Sequence, residues 1–397
     1  MKILLVAFAL NPFRGSEAAT AWGWATSLAG VHEVTVVSRE EERHDFESAL
    51  AKYQGLDLRI EWVPSPRYVG PMAGQIKYLL WLRKAARVCK TLVEAEKYDL
   101  IHHVSYGSIN VATQFWKLSP PFVLGPVGGG QSLNPEFQKI LGPMPISERL
   151  RNLRVCLLPF RPAIRKMVKN SSLVLVTNHE TEMVVRRMGA LHVTLFSDTG
   201  VRKGFCIERP SSRSRDSGLR LLWVGRMLYR KGVAIALKAL KKTGRTDISL
   251  DLVGTGPLRR DIVSLVDSLR LSGQVHFHGQ VPFDKVTDFY DRADLFVFPS
   301  VNDAFGSQLL EASSRGLPSL VLNMQGAKAL LPDAAAWKIS TSSAEKVVDS
   351  MADALNTLAG NPEILADMSS AAIAFARSEL WENRVDKISS LYMQIAK

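Results

Sequence analysis

In the stretch FVFPSVNDAFGSQLLEASSRGLP, Phe296 to Pro318, two carboxylates stand eight positions apart, Asp303 and Glu311. An apolar run ends at Pro299-Ser300, Asp303 follows at its exit, and Gly306 opens a helical pattern that carries Glu311 two turns along. A helix starting there turns the backbone N–H groups of Phe305, Gly306 and Ser307 toward an anion. Upstream, Gly225 to Gly232 sets Arg226 and Lys231 five positions apart between glycines at a second strand-to-helix turn. Two cations and the free N–H groups of a helix can converge there on one diphosphate. Gly254 and Gly256, in GTGP after another strand, permit close backbone approach to a ligand or simply make the turn. A ligand with hydroxyls at both ends and phosphates in the middle, a nucleotide sugar, fits this set. Glu311 would accept from ribose hydroxyls and Asp303 from the sugar, while the amides, Arg226 and Lys231 hold the diphosphate. The plainer alternative for Asp303 and Glu311 is a carboxylate that complements a helix dipole and an ordinary helix glutamate.

Groups of this kind need strand ends to hold them. Apolar runs ILLVAFAL (3–10), VTVVS (34–38), LRIEWV (58–63), DLIHHV (99–104), FVLGPV (122–127) and LVLVT (173–177) alternate with helical patterns. The rhythm lapses in a Ser-, Arg- and Gly-rich stretch and restarts with LRLLWVG (219–225), SLDLVG (249–254), VHFHG (275–279), LFVFPS (295–300) and LPSLVLN (317–323). Continuous apolar strands separated by helices predict parallel sheets covered on both faces. A chain of 397 residues exceeds one ordinary core. The expected fold class is therefore α/β, with two doubly wound Rossmann-like domains facing across a cleft: residues 1–196, a linker 197–218, residues 219–378, and a terminal helix 379–397 packed back toward the first domain. Ligands in such sheets lie outside the carboxyl ends of the strands.

Composition narrows the partners. The net charge of +12 and a pI near 9.6 call for an anionic partner. Arg149, Arg151, Arg154, Arg161, Arg165, Lys166 and Lys169 fall in a stretch without an acid, interleaved with Leu150, Leu153, Leu157 and Phe160, and a second basic segment runs from Gln75 to Lys90. Basic helices with apolar faces suit an anionic membrane surface, unless each packs its apolar face on its own sheet and leaves the basic face in water. No nucleic-acid motif accompanies the charge. Three well-separated cysteines indicate neither a disulfide framework nor zinc, and a reducing cytoplasm fits. The first ten residues read as a buried strand rather than a leader, and no apolar run has the roughly 18–20 residues of a membrane span. His276 and His278 alternate on a strand without further ligands nearby, so no metal site is expected.

The motifs VGRMLYRKG, LVGTGP, VHFHGQV and FVFPSVNDAFGSQLLEASSRGLP, in that order and spacing, resemble the C-terminal half of retaining glycosyltransferases of the GT-B fold, family 4. That family's E-x7-E motif corresponds here to Asp303-x7-Glu311, with a shorter first carboxylate. The resemblance extends to Gly15, Ser16 and Glu17 after the first strand, His102 and His103 after the fourth, and the GPVGGG loop with Gly128 and Gly129 after the fifth, which look like a subgroup of the family. It implies donor contacts at Gly15 and Ser16, and an acceptor or sugar side at Glu17, His102, His103, Gly128 and Gly129. The family often has a histidine after the fifth strand, where this chain has glycines; their amides, His102 or His103 would replace it. Lacking a D-x-D pair, the chain is expected to transfer sugar without metal or other cofactor, the leaving phosphate helping to deprotonate the acceptor. The expectation is transfer from a nucleotide sugar to a glycan or lipid-linked glycan in bacterial surface polysaccharide assembly, in the cytoplasm or at the inner membrane face. A nucleotide-sugar-binding regulator without transfer activity and a nucleotide-sugar epimerase are the alternatives.

Overall fold

A computed structural model describes residues 1–11, 16–50, 58–66, 73–207 and 218–396. They form two compact units, the first made of Met1–Gly130, Arg154–Gly200 and Trp381–Lys397, the second of Gln131–Leu153 and Val201–Leu380.

The first unit holds seven strands: β1 (Lys2–Val6), β2 (Glu33–Arg39), β3 (Leu58–Val63), β4 (Leu100–His103), β5 (Phe122–Val127), β6 (Leu173–Val176) and β7 (Val193–Leu195). They pair in the order β3-β2-β1-β4-β5-β6-β7, and all are parallel. Alternation along β1 explains its apolar run Ile3–Val6, because both faces are covered there. Ile3 and Leu5 join a core with Trp22, Trp24 and Trp381, while Leu4 and Val6 join another with Tyr78 and Trp81.

The second unit holds β8 (Leu219–Val224), β9 (Ile248–Val253), β10 (Val275–Gly279), β11 (Leu295–Phe298), β12 (Ser319–Leu322) and β13 (Ala336–Ile339), ordered β10-β9-β8-β11-β12-β13 and again parallel. Leu221 and Trp223 face one core, Leu222 the other.

The segment boundaries differ from the sequence expectation at residues 131–153, while the terminal helix groups with the first unit, the one it was expected to pack toward. Residues 131–153, counted above with the first domain, group with the second unit. Leu133, Phe137, Ile140 and Met144 are buried in the core that contains Leu221 and Leu250, and the Tyr229 hydroxyl donates to the Gly142 carbonyl at 2.7 Å. The helix Trp381–Ile395 groups with the first unit. Its Trp381, Val385, Ile388 and Tyr392 repeat at helical spacing on one buried face. Of the expected linker, residues 208–217 lie outside the described residues.

Candidate active site

Three strand exits of the second unit carry the chemistry. After β8 the chain makes a short 3-10 turn, Tyr229–Lys231, and Gly232 then begins the helix Val233–Thr243 in the left-handed region at φ 66°. A Cβ there would stand 1.9 Å from the Pro299 carbonyl oxygen, so only glycine lets this turn lie against the exit of β11. That contact carries Lys231 to Asp303, and the two side chains form an ion pair. Arg230, which the sequence reading passed over, reaches the same Asp303 oxygen at 3.9 Å. The Ser300 hydroxyl lies 3.3 Å from that oxygen and 3.0 Å from the Arg230 carbonyl. Burial by itself would raise the Asp303 pKa; the Lys231 and Arg230 charges and the hydrogen bonds from Lys231 and Ser300 outweigh it and hold the carboxyl below its usual range. Asp303 is thus ionised at neutral pH.

The Asp303 backbone N–H donates at 2.6 Å to Gln325 Oε1, and Gln325 Nε2 donates to the carbonyls of Val301 and Ser132 at 3.3 and 3.4 Å. Gln325 thereby fixes the Asp303 loop from the exit of β12. Sequence reasoning missed it, although its place just after an apolar strand was the available signal.

Gly306 stands at φ 97° before the helix Ser307–Ser314, whose N-terminus no side chain caps. Leu309 N–H bonds the Gly306 carbonyl at 3.0 Å, and the N–H groups ahead of it in the first turn are the ones that suit an anion. Phe305 is buried in the core beneath, so only its backbone is available to a ligand. Glu311, farther along the helix, accepts from the Tyr290 hydroxyl at 2.9 Å and is also hydrogen-bonded by Ser307. Its pKa is raised by burial, which the hydrogen bonds from Tyr290 and Ser307 and the Lys231 charge only partly offset. The same loops contain buried polar atoms with no partner: Arg230 Nε, Asn302 Nδ2 and Gln308 Oε1. An unsatisfied buried group costs about 1–3 kcal/mol, so a polar ligand that reached them would recover it.

Arg226 differs from Lys231. It is exposed, and its side chain makes no hydrogen bond or ion pair among the described residues. Gly254 and Gly256 serve the fit between neighbouring loops. Cβ atoms there would meet the carbonyl oxygens of Gly225 at 1.9 Å and Met227 at 2.6 Å. The glycine loop after β9 thus packs on the backbone beside Arg226, with Met227 N–H donating to the Thr255 carbonyl at 2.9 Å.

In the first unit Gly15 lies outside the described residues, and Ser16 opens the helix Ser16–Ala29. Glu17 follows in its first turn with an exposed surface, yet desolvation by the protein around it and the nearby Asp198 carboxylate push its pKa to about 7, against a hydrogen bond from the Gly107 backbone. Gly128 N–H donates to the Gly107 carbonyl at 2.8 Å, and Gly129 packs its α-carbon against Asn110. These loops bring Glu17, Gly107, Gly128 and Asp198 to one end of the sheet.

His102 and His103 do not join them. Both are buried, on opposite faces of β4. His102 Nδ1 meets the Tyr392 hydroxyl at 2.6 Å and Nε2 the Gly125 carbonyl at 2.7 Å; His103 Nε2 lies 3.2 Å from the Tyr78 hydroxyl. Desolvation lowers their pKa values to about 3 and about 4, so neither is charged at neutral pH. Both ring nitrogens of His102 thus have partners, whereas the buried His103 Nδ1 has none among the described residues. In the second unit, His278 pairs with Asp251 at 2.6 Å and His276 is exposed.

Comparison with known proteins covers both units. Residues 15–197 match the family described as "Glycosyl transferase 4-like domain", and residues 207–375 match "Glycosyl transferases group 1". The 2-deoxystreptamine N-acetyl-D-glucosaminyltransferase of Streptomyces fradiae is 25% identical over 336 residues, 78% of either chain. The GPI3 subunit of phosphatidylinositol N-acetylglucosaminyltransferase from Saccharomyces cerevisiae is 25% identical over 186 residues, 46% of this chain and 40% of that one. Among solved structures, Anabaena Alr3699/HepE in complex with UDP and glucose superposes with a TM-score of 0.64 at 17% identity, over 98% of this chain and 99% of that one. WaaG, a glycosyltransferase involved in lipopolysaccharide biosynthesis, gives 0.62 at 18% identity over 98% and 99%. With a glycosyltransferase family matched on each of its two parallel-sheet units, this chain belongs to the glycosyltransferases of the GT-B fold.

Proposed function

We propose that this glycosyltransferase is a retaining enzyme of family 4, in the subgroup with the GSE and GPVGGG loops. It moves a sugar from a nucleotide-sugar donor held by the second unit to a glycan or lipid-linked glycan held by the first. The observation that carries the proposal is the cluster at the exits of β8 and β11: Lys231 and Arg230 on the ionised Asp303, beside an uncapped helix N-terminus whose own Glu311 lies about one turn along. The cations and open N–H groups suit a diphosphate, and the carboxylates suit hydroxyls on either side of it. The UDP and glucose named for HepE, and the lipopolysaccharide role named for WaaG, support a nucleotide-sugar donor and a surface-glycan acceptor.

In this reading Lys231 and Arg226 neutralise charge that grows on the departing diphosphate, worth about 100-fold or more in rate for one well-placed donor. Ligand binding would turn Lys231 partly from Asp303 toward phosphate, leaving Asp303 free to accept from a sugar hydroxyl. The leaving oxygen helps to take the acceptor proton, so no protein nucleophile is required. Charge neutralisation rests on side chains rather than a cation, and transfer should therefore survive chelation by EDTA. Loss of activity in EDTA with recovery on added magnesium or manganese would refute that point.

Incubation with a panel of nucleotide sugars, with and without bacterial glycan and lipid-linked acceptors, tests the reading through mass analysis of products. A glycosylated acceptor of unchanged anomeric configuration is expected. A rearranged nucleotide sugar formed without acceptor would mean an epimerase, and donor binding without any product would mean a regulator.

A further inference from the structure

The helix Ile146–Leu157 displays its apolar residues to solvent. Ile146, Leu150, Leu153 and Leu157 follow one another at intervals of four, three and four, which places them along a single face. They are 74%, 48%, 53% and 48% exposed, and Phe160, just beyond, is 80% exposed. The buried side of this helix instead carries its one acid, Glu148, together with Asn152, which bonds the Leu133 backbone. An ordinary surface helix has the opposite arrangement, and a run of large apolar groups facing water marks an interaction surface. The amphipathic packing offered above as the alternative does not apply to this helix, whereas the following helix Pro162–Lys169 does bury Ile164, Met167 and Val168 and leaves Arg165, Lys166 and Lys169 in water.

Charge identifies the occupant. Arg149, Arg151 and Arg154 flank the stripe, and Arg161, Arg165, Lys166 and Lys169 follow, with no acid between Arg149 and Lys169. A symmetric dimer through this face would set one copy's cations against the other's. An anionic lipid surface accepts apolar side chains at the acyl boundary and cations at the phosphates at once. Within the first unit, a cavity of about 350 Å³ adjoins the same segment. It is lined by Leu79, Leu82 and Trp116 with Arg83, Lys117 and Lys166, a combination suited to a phosphate on an apolar stem. We infer that the segment Ile146–Lys169 docks this enzyme on an anionic lipid bilayer, its leucines and Phe160 inserting while its arginines and lysines engage lipid phosphate. The segment contains none of the donor-site residues, and the inference does not depend on which acceptor is used.

Flotation of the full chain with vesicles tests the inference, comparing phosphatidylcholine alone with phosphatidylcholine containing about one-third phosphatidylglycerol. Binding to the anionic vesicles only is expected, weakening as salt rises. The triple variant Leu150→Ser, Leu153→Ser, Leu157→Ser should bind at least about tenfold more weakly, its removed side chains being the inserted ones. The triple variant Arg154→Gln, Arg165→Gln, Lys169→Gln should also lose affinity and most of the salt dependence. Since all six side chains are exposed, both variants should keep the wild-type melting temperature and nucleoside diphosphate affinity. The affinity readout separates a failure of docking from a failure of the transferase reading. Absence of binding to anionic vesicles, equal binding to neutral ones, or a dimer by light scattering that the serine variant dissolves would overturn the inference.

Discussion

At the scale of single residues, the two cations singled out in the sequence stand in different electrostatic situations. Lys231 is nearly buried and tied to Asp303, whereas Arg226 is exposed and unpaired among the described residues. Arg226→Ala should therefore weaken nucleoside diphosphate binding without altering the melting temperature. Lys231→Ala should weaken binding and also destabilise the unit, by up to about 3–5 kcal/mol, the range for breaking a buried pair. Calorimetric titration and thermal unfolding of both variants make the comparison, and equal melting temperatures would contradict the ion pair. The carboxylates separate in a similar way. Glu311→Gln should weaken free nucleoside diphosphate and nucleotide sugar alike, because both carry the ribose. Asp303→Asn should leave the free nucleotide nearly untouched and reduce turnover, since it loses a hydrogen bond that positions the sugar, typically about 1.5–3 kcal/mol. Equal loss of nucleotide affinity in the two variants would reduce Asp303 to a structural carboxylate. Glu17 gives a pH test. Its pKa is raised from 4.5 to about 7, so the stability it contributes is present below pH 4.5 and is lost as pH climbs through 7. Glu17→Gln should thus stabilise the protein above pH 7 and match wild type below pH 4.5. A stability difference that did not change with pH would contradict the raised pKa that burial and the Asp198 charge give Glu17.

At the scale of elements, what the sequence disclosed follows from how strongly each element is buried. Eleven strands were legible as apolar or alternating runs, nine of them inside the sheets and largely buried on both faces, with β3 and β10 at the edges. The two that were missed, β7 and β13, are edge strands of only three and four residues in which half or more of the side chains are partly exposed, so VTL and AWKI are too short to stand out. Helix starts after strands led to Lys231 and Asp303 at strand exits and to Glu311 in the helix that follows, while the approach of Arg230 to Asp303 depends on a loop contact that local pattern does not encode. The contacts of His102 were hidden from the sequence for a different reason. A histidine at a strand end resembles a site residue until its partner is known, and that partner, Tyr392, is 290 positions away. Tyr392→Phe should leave the buried His102 Nδ1 unsatisfied and cost about 1–3 kcal/mol. Chemical denaturation would register that loss, and an unchanged midpoint would mean that the hydrogen bond contributes nothing net.

At the scale of the whole molecule, the chain crosses between its units more often than a linear reading of domains allows. Residues 131–153 complete the second core, and the last helix completes the first, so neither unit is a continuous piece of sequence. Excising 219–378 on the expected boundaries would strip Phe137 and Ile140 from the core they help fill. Full-length protein is accordingly the right material for the decisive experiment. The central claim is that the loops after β8 and β11 hold the diphosphate of a nucleotide-sugar donor. Isothermal titration of full-length protein with a panel of nucleoside diphosphates, repeated for Lys231→Ala, tests it most directly. The claim predicts saturable binding of at least one nucleoside diphosphate and affinity about 100-fold weaker in the variant. No binding across the panel, or wild-type affinity in Lys231→Ala, would contradict it.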